Sequence, residues 1–286
     1  MAVNITSIEW TDRSVNPIRA RRIDNKNRVP GHFCTKKSSG CANCYSSRMQ
    51  VRFGMPGFPG ISKTPADMGI EVYLDDNVLK TVLALRKPSR IFWCDMTDML
   101  GEWVPDNWID KCFAVMGLTP QHTHQVLTKR AGRMAQYLTS AETMLRVFGS
   151  MGEIVAGTPQ ERLMDDPAEW PLSNVWLGTS CENQETADER IPHLRQTPAA
   201  VRFVSAEPLL GPVTLNLDGI AWVICGGESG PGARPMHPDW ARSLRDQCAV
   251  ADVPFFFKQW GGIQRKLAGR QLDRREWNEM PVTATG

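Results

Sequence analysis

The sequence predicts an α/β protein built as a complete or partial (β/α) barrel of the TIM type, and three observations lead there. From residue 90 onward, short apolar runs alternate with amphipathic stretches of helical period. The apolar runs lack the in–out alternation of a half-exposed sheet, as expected of parallel strands covered on both faces. Each run is followed at once by a polar cluster, and in α/β folds ligands bind at the carboxyl ends of the strands. A length of 286 residues suits one such barrel, for which about 250 residues is usual. A doubly wound open sheet is the competing arrangement.

The elements follow in order. Residues 1–70 carry little regular patterning and read as an extended loop region around three cysteines. One short strand is expected near Ile5 to Trp10, and a helix from Cys44 to about Phe53. Asp75 to Leu85 reads as helix because Val78, Leu79, Val82 and Leu85 share a face. The repeating unit opens with a strand at Arg90–Cys94 and a helix from Asp106 to Met116, with Pro105 near its start. A strand at His124–Leu127 and a helix beginning at Arg130 come next. Residues 140–172 form a long connection with acidic patches, expected as a surface insertion. The series continues with strand Asn174–Gly178, helix Glu185–Leu194, strands Val201–Val204 and Ala221–Cys225, helix His237–Cys248 and strand Pro254–Phe257. The whole of 1–286 reads as one domain without internal repeats.

Composition narrows the class. The net charge of +2 does not mark a strong nucleic-acid binder, although local basic patches matter more than the sum. The start has neither a basic segment nor a long apolar one, and no apolar run approaches the eighteen or so residues of a membrane span. A cytoplasmic monomer with no membrane attachment is expected, in a reducing compartment that keeps thiols free.

The cysteines carry the most chemistry. Cys34, Cys41 and Cys44 lie in C-T-K-K-S-S-G-C-A-N-C-Y, a short turn-rich run. Three thiolates can hold three irons of a four-iron four-sulfur (4Fe-4S) cluster and leave the fourth iron open for a cofactor. Structural zinc is the chief competitor, with His32 as fourth ligand, but one C-x2-C pair lacks the second pair such sites usually have. Cys94, Cys112, Cys225 and Cys248 read as small buried hydrophobes, and Cys181 as a tucked loop thiol.

The strand-end clusters supply the remaining candidates. They are Asp95, Thr97 and Asp98; Lys129 and Arg130; Ser180 and Glu182; Glu207; Gly226, Gly227 and Glu228; and Lys258. Polar residues also cap helices and fill turns whatever the function, but six such clusters in succession favour a ligand site. In G-G-E-S-G, Gly226 and Gly227 allow close backbone approach to a ligand, Glu228 can accept a hydroxyl or ammonium, and Arg234 downstream suits a carboxylate or phosphate. Neither a dinucleotide fingerprint nor a Walker motif is present.

Six segments carry a resemblance: residues 34–45, L-T-K-R at 127–130, N-V-W-L-G-T-S at 174–180, F-V-S-A-E-P-L-L-G-P at 203–212, G-G-E-S-G-P-G-A-R-P at 226–235 and F-F-F-K-Q-W-G at 255–261. By these the chain is similar to a phage- and bacteria-associated three-cysteine family of unknown function that resembles the radical S-adenosylmethionine (radical SAM) enzymes. Most of those enzymes have C-x3-C-x2-C; this chain has C-x6-C-x2-C, three residues longer in its first spacing. The resemblance implies a radical SAM-like barrel in which Cys34, Cys41 and Cys44 bind the cluster and the open iron chelates S-adenosyl-L-methionine. One electron would then release methionine and a 5′-deoxyadenosyl radical for hydrogen abstraction. It further implies an aromatic near adenine at Tyr45, contacts to the methionyl amine from Asp95, Thr97 or Asp98, and contacts to ribose or amine from Ser180, Glu182, Glu207 or Glu228. Lys129, Arg130, Arg234 and Lys258 would receive a carboxylate or phosphate. The implied partners are an electron donor such as flavodoxin or ferredoxin and a nucleotide or nucleic-acid substrate, for which Arg19, Arg21, Arg22, Lys26, Arg28, Lys36 and Lys37 supply positive charge. The alternatives are a non-catalytic iron–sulfur or zinc protein that binds nucleic acid, and a metal-free barrel enzyme.

Overall fold

The structure, a computed structural model, describes residues 3–24, 30–158, 161, 169–264 and 268–282. Lys26, Arg28 and the acidic stretch at 162–168 lie outside the described residues. The strands are β1 (Val3–Ile5), β2 (Arg13–Val15), β3 (Ile18–Arg22), β4 (Ile70–Leu74), β5 (Arg90–Trp93), β6 (Thr123–Thr128), β7 (Val175–Ser180), β8 (Val201–Ala206), β9 (Trp222–Gly226), β10 (Phe255–Gln259), β11 (Gln271–Leu272) and β12 (Arg275–Glu276). The helices are α1 (Tyr45–Arg52), α2 (Asp76–Leu83), α3 (Asp106–Gly117), α4 (Ala131–Thr139), α5 (Ala141–Val155), α6 (Gln184–Gln196) and α7 (Pro238–Val250). No helix among the described residues is long and apolar enough to cross a membrane.

The main sheet runs in the order β1-β2-β5-β6-β7-β8-β9-β10. β1 pairs antiparallel with β2, and every other neighbouring pair is parallel. Strand order follows chain order without reversal, so the sheet is singly wound like a barrel and has no topological switch point. This sets aside the doubly wound alternative. Among the described residues no strand pair joins β10 to β1, so the result is an α/β fold with a mixed sheet and not a closed barrel. The outer edge of β10 is covered by residues 277–279, where Phe257 N–H donates to the Trp277 carbonyl at 2.9 Å.

The two faces of the sheet differ. Outward residues such as Ile91, Trp93, Val126, Leu177, Val204, Val223 and Phe257 pack with the helices in the larger core. Inward residues form an aromatic floor of Phe92, Trp176, Phe203, Trp222 and Phe256, joined by Trp10. Because β5 and β10 both contribute to this one cluster, the sheet curls around it. Gly178 of β7 makes room for the floor: a Cβ there would lie 2.5 Å from the Phe203 ring.

Three departures from expectation have plain causes. The early strand expected at Ile5 to Trp10 ends at Ile5; the chain then turns, Trp10 enters the floor, and the parallel strand is Arg13–Val15. β3 and β4 pair antiparallel as a separate two-stranded sheet whose charges hid it, with Arg21 bound to Glu71 across the strands at 2.7 Å. Within 140–172, α5 buries Val147, Met151 and Val155 in the outer core beside α3.

Candidate functional site

The cysteine loop lies across the carboxyl ends of the strands, held there by contacts to four of them. After β5, the Thr97 hydroxyl donates to the Phe33 carbonyl, and Ser46 Oγ donates to the Met96 carbonyl at 2.6 Å. After β6, Arg130 donates to Thr35 Oγ1 at 2.6 Å. After β7, Glu182 accepts from Ser38 Oγ at 2.9 Å. After β9, Glu228 accepts from Asn43 Nδ2 at 2.9 Å, and Arg48 donates to the carbonyls of Ser229 and Pro231. Arg234 also reaches the Ser39 carbonyl at 3.0 Å. Gly40 passes so close to Glu182 that a Cβ would sit 2.5 Å from its Oε1.

These anchors are themselves braced. Glu182 is fully buried and paired with Lys129 and with Arg190, the latter at 3.1 Å. Burial alone would raise its pKa, but Lys129 and Arg190 outweigh it and the carboxyl is held below its ordinary value. Glu228 likewise resists the upward push of burial: the Arg234 side chain and backbone N–H, with Asn43, draw it down to about 2. Arg130 pairs with Asp98 at 3.0 Å and lies 4.7 Å over the Trp103 ring. Asp98 also accepts from Thr128 Oγ1 at 2.7 Å.

Cys34, Cys41 and Cys44 are half-buried and free of disulfides. Burial pushes the Cys34 thiol up; Asp98, Cys44 and Cys41 add to that, and Arg130 opposes it. Burial also raises Cys44, with Cys41 adding and Lys129 opposing. Among the described residues, no three His, Cys, Asp or Glu side chains are gathered closely enough to hold a metal ion as they stand. The donor set nonetheless fits a thiophilic cluster: three soft ligands on one pinned loop with positive charge to offset thiolates. His32 does not join them. Its Nδ1 lies 3.1 Å from the Ile18 carbonyl and its Nε2 3.3 Å from Arg19, and burial lowers its pKa to about 4.

The other expected residues divide into two groups. Thr97, Asp98, Glu182 and Glu228 bind the cysteine loop or the residues that brace it. The close backbone approach expected of a ligand at Gly227 is taken by the Trp260 carbonyl, and Gly226 backs the Glu207 carboxylate, 3.3 Å from where its Cβ would be. The second group is Glu207, Lys258, Tyr45, Asp95 and Ser180. Lys258 pairs with Glu207 at 2.6 Å, and among the described residues no hydrogen bond from the cysteine loop reaches either. The Tyr45 hydroxyl donates to the Asp95 carbonyl. Burial raises the Asp95 carboxyl against hydrogen bonds from Asn16, Ser14 and Tyr45. Ser180 ends β7 on the face of Trp176. Sequence reasoning missed Thr35, Ser38, Gly40, Asn43 and Arg48 as anchors; their signal was their place between and beside the cysteines.

The family described as "Protein of unknown function (DUF5131)" matches residues 5–281. No curated protein shows significant similarity to the chain. Among solved structures, a doubly substituted spore photoproduct lyase mutant with bound AdoMet and dinucleoside spore photoproduct is similar at 11% identity and a TM-score of 0.39, over 90% of this chain and 59% of that one. A second spore photoproduct lyase, complexed with dinucleoside spore photoproduct, aligns at 11% identity and a TM-score of 0.35, over 72% of this chain and 56% of that one. The chain thus spans less than two thirds of the length of these structures.

Proposed function

The chain belongs to the DUF5131 family, and we propose that it is a radical SAM-type iron–sulfur enzyme acting on a nucleotide or nucleic-acid substrate. The carrying observation is the cysteine loop: three thiols on one short run, pinned by contacts over the strand ends of a singly wound, largely parallel sheet. Cys34, Cys41 and Cys44 would hold a 4Fe-4S cluster. Together with S-adenosyl-L-methionine on its open iron, the cluster would supply a 5′-deoxyadenosyl radical for hydrogen abstraction.

The chain's own residues do the positioning. Glu182, Glu228 and Arg130, through Ser38, Asn43 and Thr35, fix the height and tilt of the cysteine loop above the sheet. Tyr45, directly after Cys44, offers its ring beside the thiols. Asp95 and Ser180 offer oxygen acceptors to an amine or ribose, and Lys129 and Lys258 offer ammonium donors to a carboxylate or phosphate. The aromatic floor closes the sheet below and keeps water from that side.

Anaerobic reconstitution with iron and sulfide, reduction by dithionite and addition of S-adenosyl-L-methionine tests the proposal. Production of 5′-deoxyadenosine that is absent in a Cys34→Ala/Cys41→Ala/Cys44→Ala variant is the expected result. A protein that takes up zinc and no iron under these conditions would overturn it.

A further inference from the structure

The inner face of the sheet carries polar side chains above the aromatic floor that the cysteine loop leaves alone. Along β7, Trp176 belongs to the floor and Leu177 to the outer core, so alternation puts Ser180 on the inner face. Along β8, Phe203 and Val204 set the same alternation and put Ser205 inward, with Glu207 two positions on. Ser180 and Ser205 are register partners in neighbouring strands, so their side chains stand side by side. Ser180 is 5% exposed and Ser205 1%. Ser180 engages Arg190 through its carbonyl, and among the described residues neither hydroxyl has a hydrogen-bond partner. Buried hydroxyls without partners are rare, and two together mark a place where another molecule binds.

Glu207 and Lys258 lie one step nearer the strand ends. Ile224 of β9 is a floor residue, and Gly226 follows it on the same face. A Cβ on Gly226 would lie 3.3 Å from the Glu207 carboxylate and 3.4 Å from Lys258 Cβ. The ion pair therefore crosses β9 on the inner face, where Gly226 has no side chain to block it, with Lys258 Nζ 2.6 Å from Glu207 Oε1. The register of β9 and β10 slips between Phe257 and Gln259, a bulge that takes Lys258 out of the regular ladder and re-aims its side chain. Both members of the pair keep some contact with solvent, so it can open without unpacking the core.

The balance of donors and acceptors selects the ligand. The Lys258 ammonium and the Ser180 and Ser205 hydroxyls are three donor groups. The acceptor among them is the Glu207 carboxylate, which sits on Lys258 where a ligand anion would sit. A ligand that takes its place has to bring more charge than one carboxylate. A phosphate monoester does, with a charge of about −1.5 to −2 at pH 7 and three acceptor oxygens, one for each donor group. A carboxylate, or a phosphodiester within a strand, carries a single negative charge and gains nothing over Glu207. The Ser180 oxygen keeps its lone pairs for a sugar hydroxyl.

We propose that Lys258, Ser180 and Ser205 form the site for the terminal phosphate of a nucleotide, and that Glu207 is the carboxylate this phosphate displaces. The proposal rests on the function proposed above and narrows its substrate to a nucleotide with a free terminal phosphate, as against the interior of a nucleic-acid strand.

Calorimetric titration of the full chain, before and after reconstitution, tests the site apart from turnover. The probes are the deoxynucleoside 5′-monophosphates, the matching nucleosides, and dinucleoside monophosphates, whose one phosphate is a diester. The expected result is that the monophosphates bind at least tenfold more tightly than either other class. Lys258→Met should abolish that preference, and Ser205→Ala should weaken monophosphate binding at least threefold. Glu207→Gln should tighten it at least threefold, because Lys258 is released; a purely structural ion pair would give no such gain. Nucleosides or dinucleoside monophosphates that bind as tightly as the monophosphates overturn the proposal. So does an unchanged preference in Lys258→Met, or Glu207→Gln binding no more tightly than the parent. A reconstituted parent that forms no 5′-deoxyadenosine would strike the function proposed above, while the phosphate preference and its response to the three variants would still uphold the site. A parent that forms 5′-deoxyadenosine and binds no monophosphate would strike the site alone.

Discussion

Gly40 offers a sharp test of whether the cysteine loop is rigidly seated. Adding one methyl group there places Cβ 2.5 Å from Glu182 Oε1 and 2.7 Å from its Cδ, about 1 Å inside ordinary van der Waals contact. Glu182 cannot swing aside, because it is fully buried between Lys129, Arg190 and Ser38. Overpacking of this kind costs about 1–3 kcal/mol. Disturbing a buried charge network raises the cost toward about 3–5 kcal/mol. We expect Gly40→Ala to destabilise the protein by about 3 kcal/mol, lowering Tm by roughly 5–10 °C in a domain of this size. Iron content after reconstitution should fall with it, since the loop must lift for the methyl group to fit. Gly60→Ala is the control: it lies on the loop paired with Lys36, but its Cβ would meet nothing within 4 Å. That variant should stay within about 0.5 kcal/mol of the parent. Urea melts of the three proteins and iron analysis make the comparison. A Gly40→Ala protein as stable and as iron-loaded as Gly60→Ala would refute a tightly seated loop.

Two further predictions concern the anchors and the floor. Glu228 is held at about 2 against an ordinary 4.5, a difference worth about 3 kcal/mol at about 1.4 kcal/mol per pH unit. Because its folded pKa is depressed, that stability is fully present above pH 4.5 and is lost as pH falls from there toward 2. Glu228→Gln should be less stable at pH 7, and its deficit should shrink through that window as the parent loses its advantage; a deficit independent of pH would refute the pairing. In the floor, Trp222 is fully buried and contacts Trp10, Trp176, Phe203 and Phe256 at ring separations of 5.7–6.1 Å. Trp222→Ala should cost about 3–5 kcal/mol in urea unfolding, and a loss under about 1 kcal/mol would mean that the floor does not pack as described.

The strands that could be read from the sequence are those buried on both faces, β5 to β10, because burial writes itself as unbroken apolar runs such as F-F-F at 255–257. β2 and β3 were hidden by Arg13, Arg19, Arg21 and Arg22, whose charges run along strands that tertiary pairing nevertheless requires. α5 was hidden by Gly149 and Gly152, which lower helix propensity although Val147, Met151 and Val155 keep the buried face. At the site, residue types were legible and partners were not. Glu182 meets Ser38 across 144 positions and Glu228 meets Asn43 across 185, separations that no local pattern encodes.

That division has a consequence for how the strand ends work. A carboxylate at the end of a parallel strand is an acceptor for whatever approaches, and sequence does not say whether the approaching group is a ligand or another part of the chain. Here the cysteine loop has arrived first at the ends of β5, β6, β7 and β9 and engages Asp98 through Arg130, and Glu182 and Glu228 directly. On the proposed function, these residues would act on the chemistry through the loop they position. Glu207 and Lys258, at the ends of β8 and β10, bind each other instead, and each could exchange its partner for a charged ligand. Substitution at Glu182 or Glu228 should therefore lower iron uptake on reconstitution, if the proposed cluster is held by this loop. Substitution at Glu207 or Lys258 should leave iron uptake by the proposed cluster unchanged and alter the binding of a charged ligand.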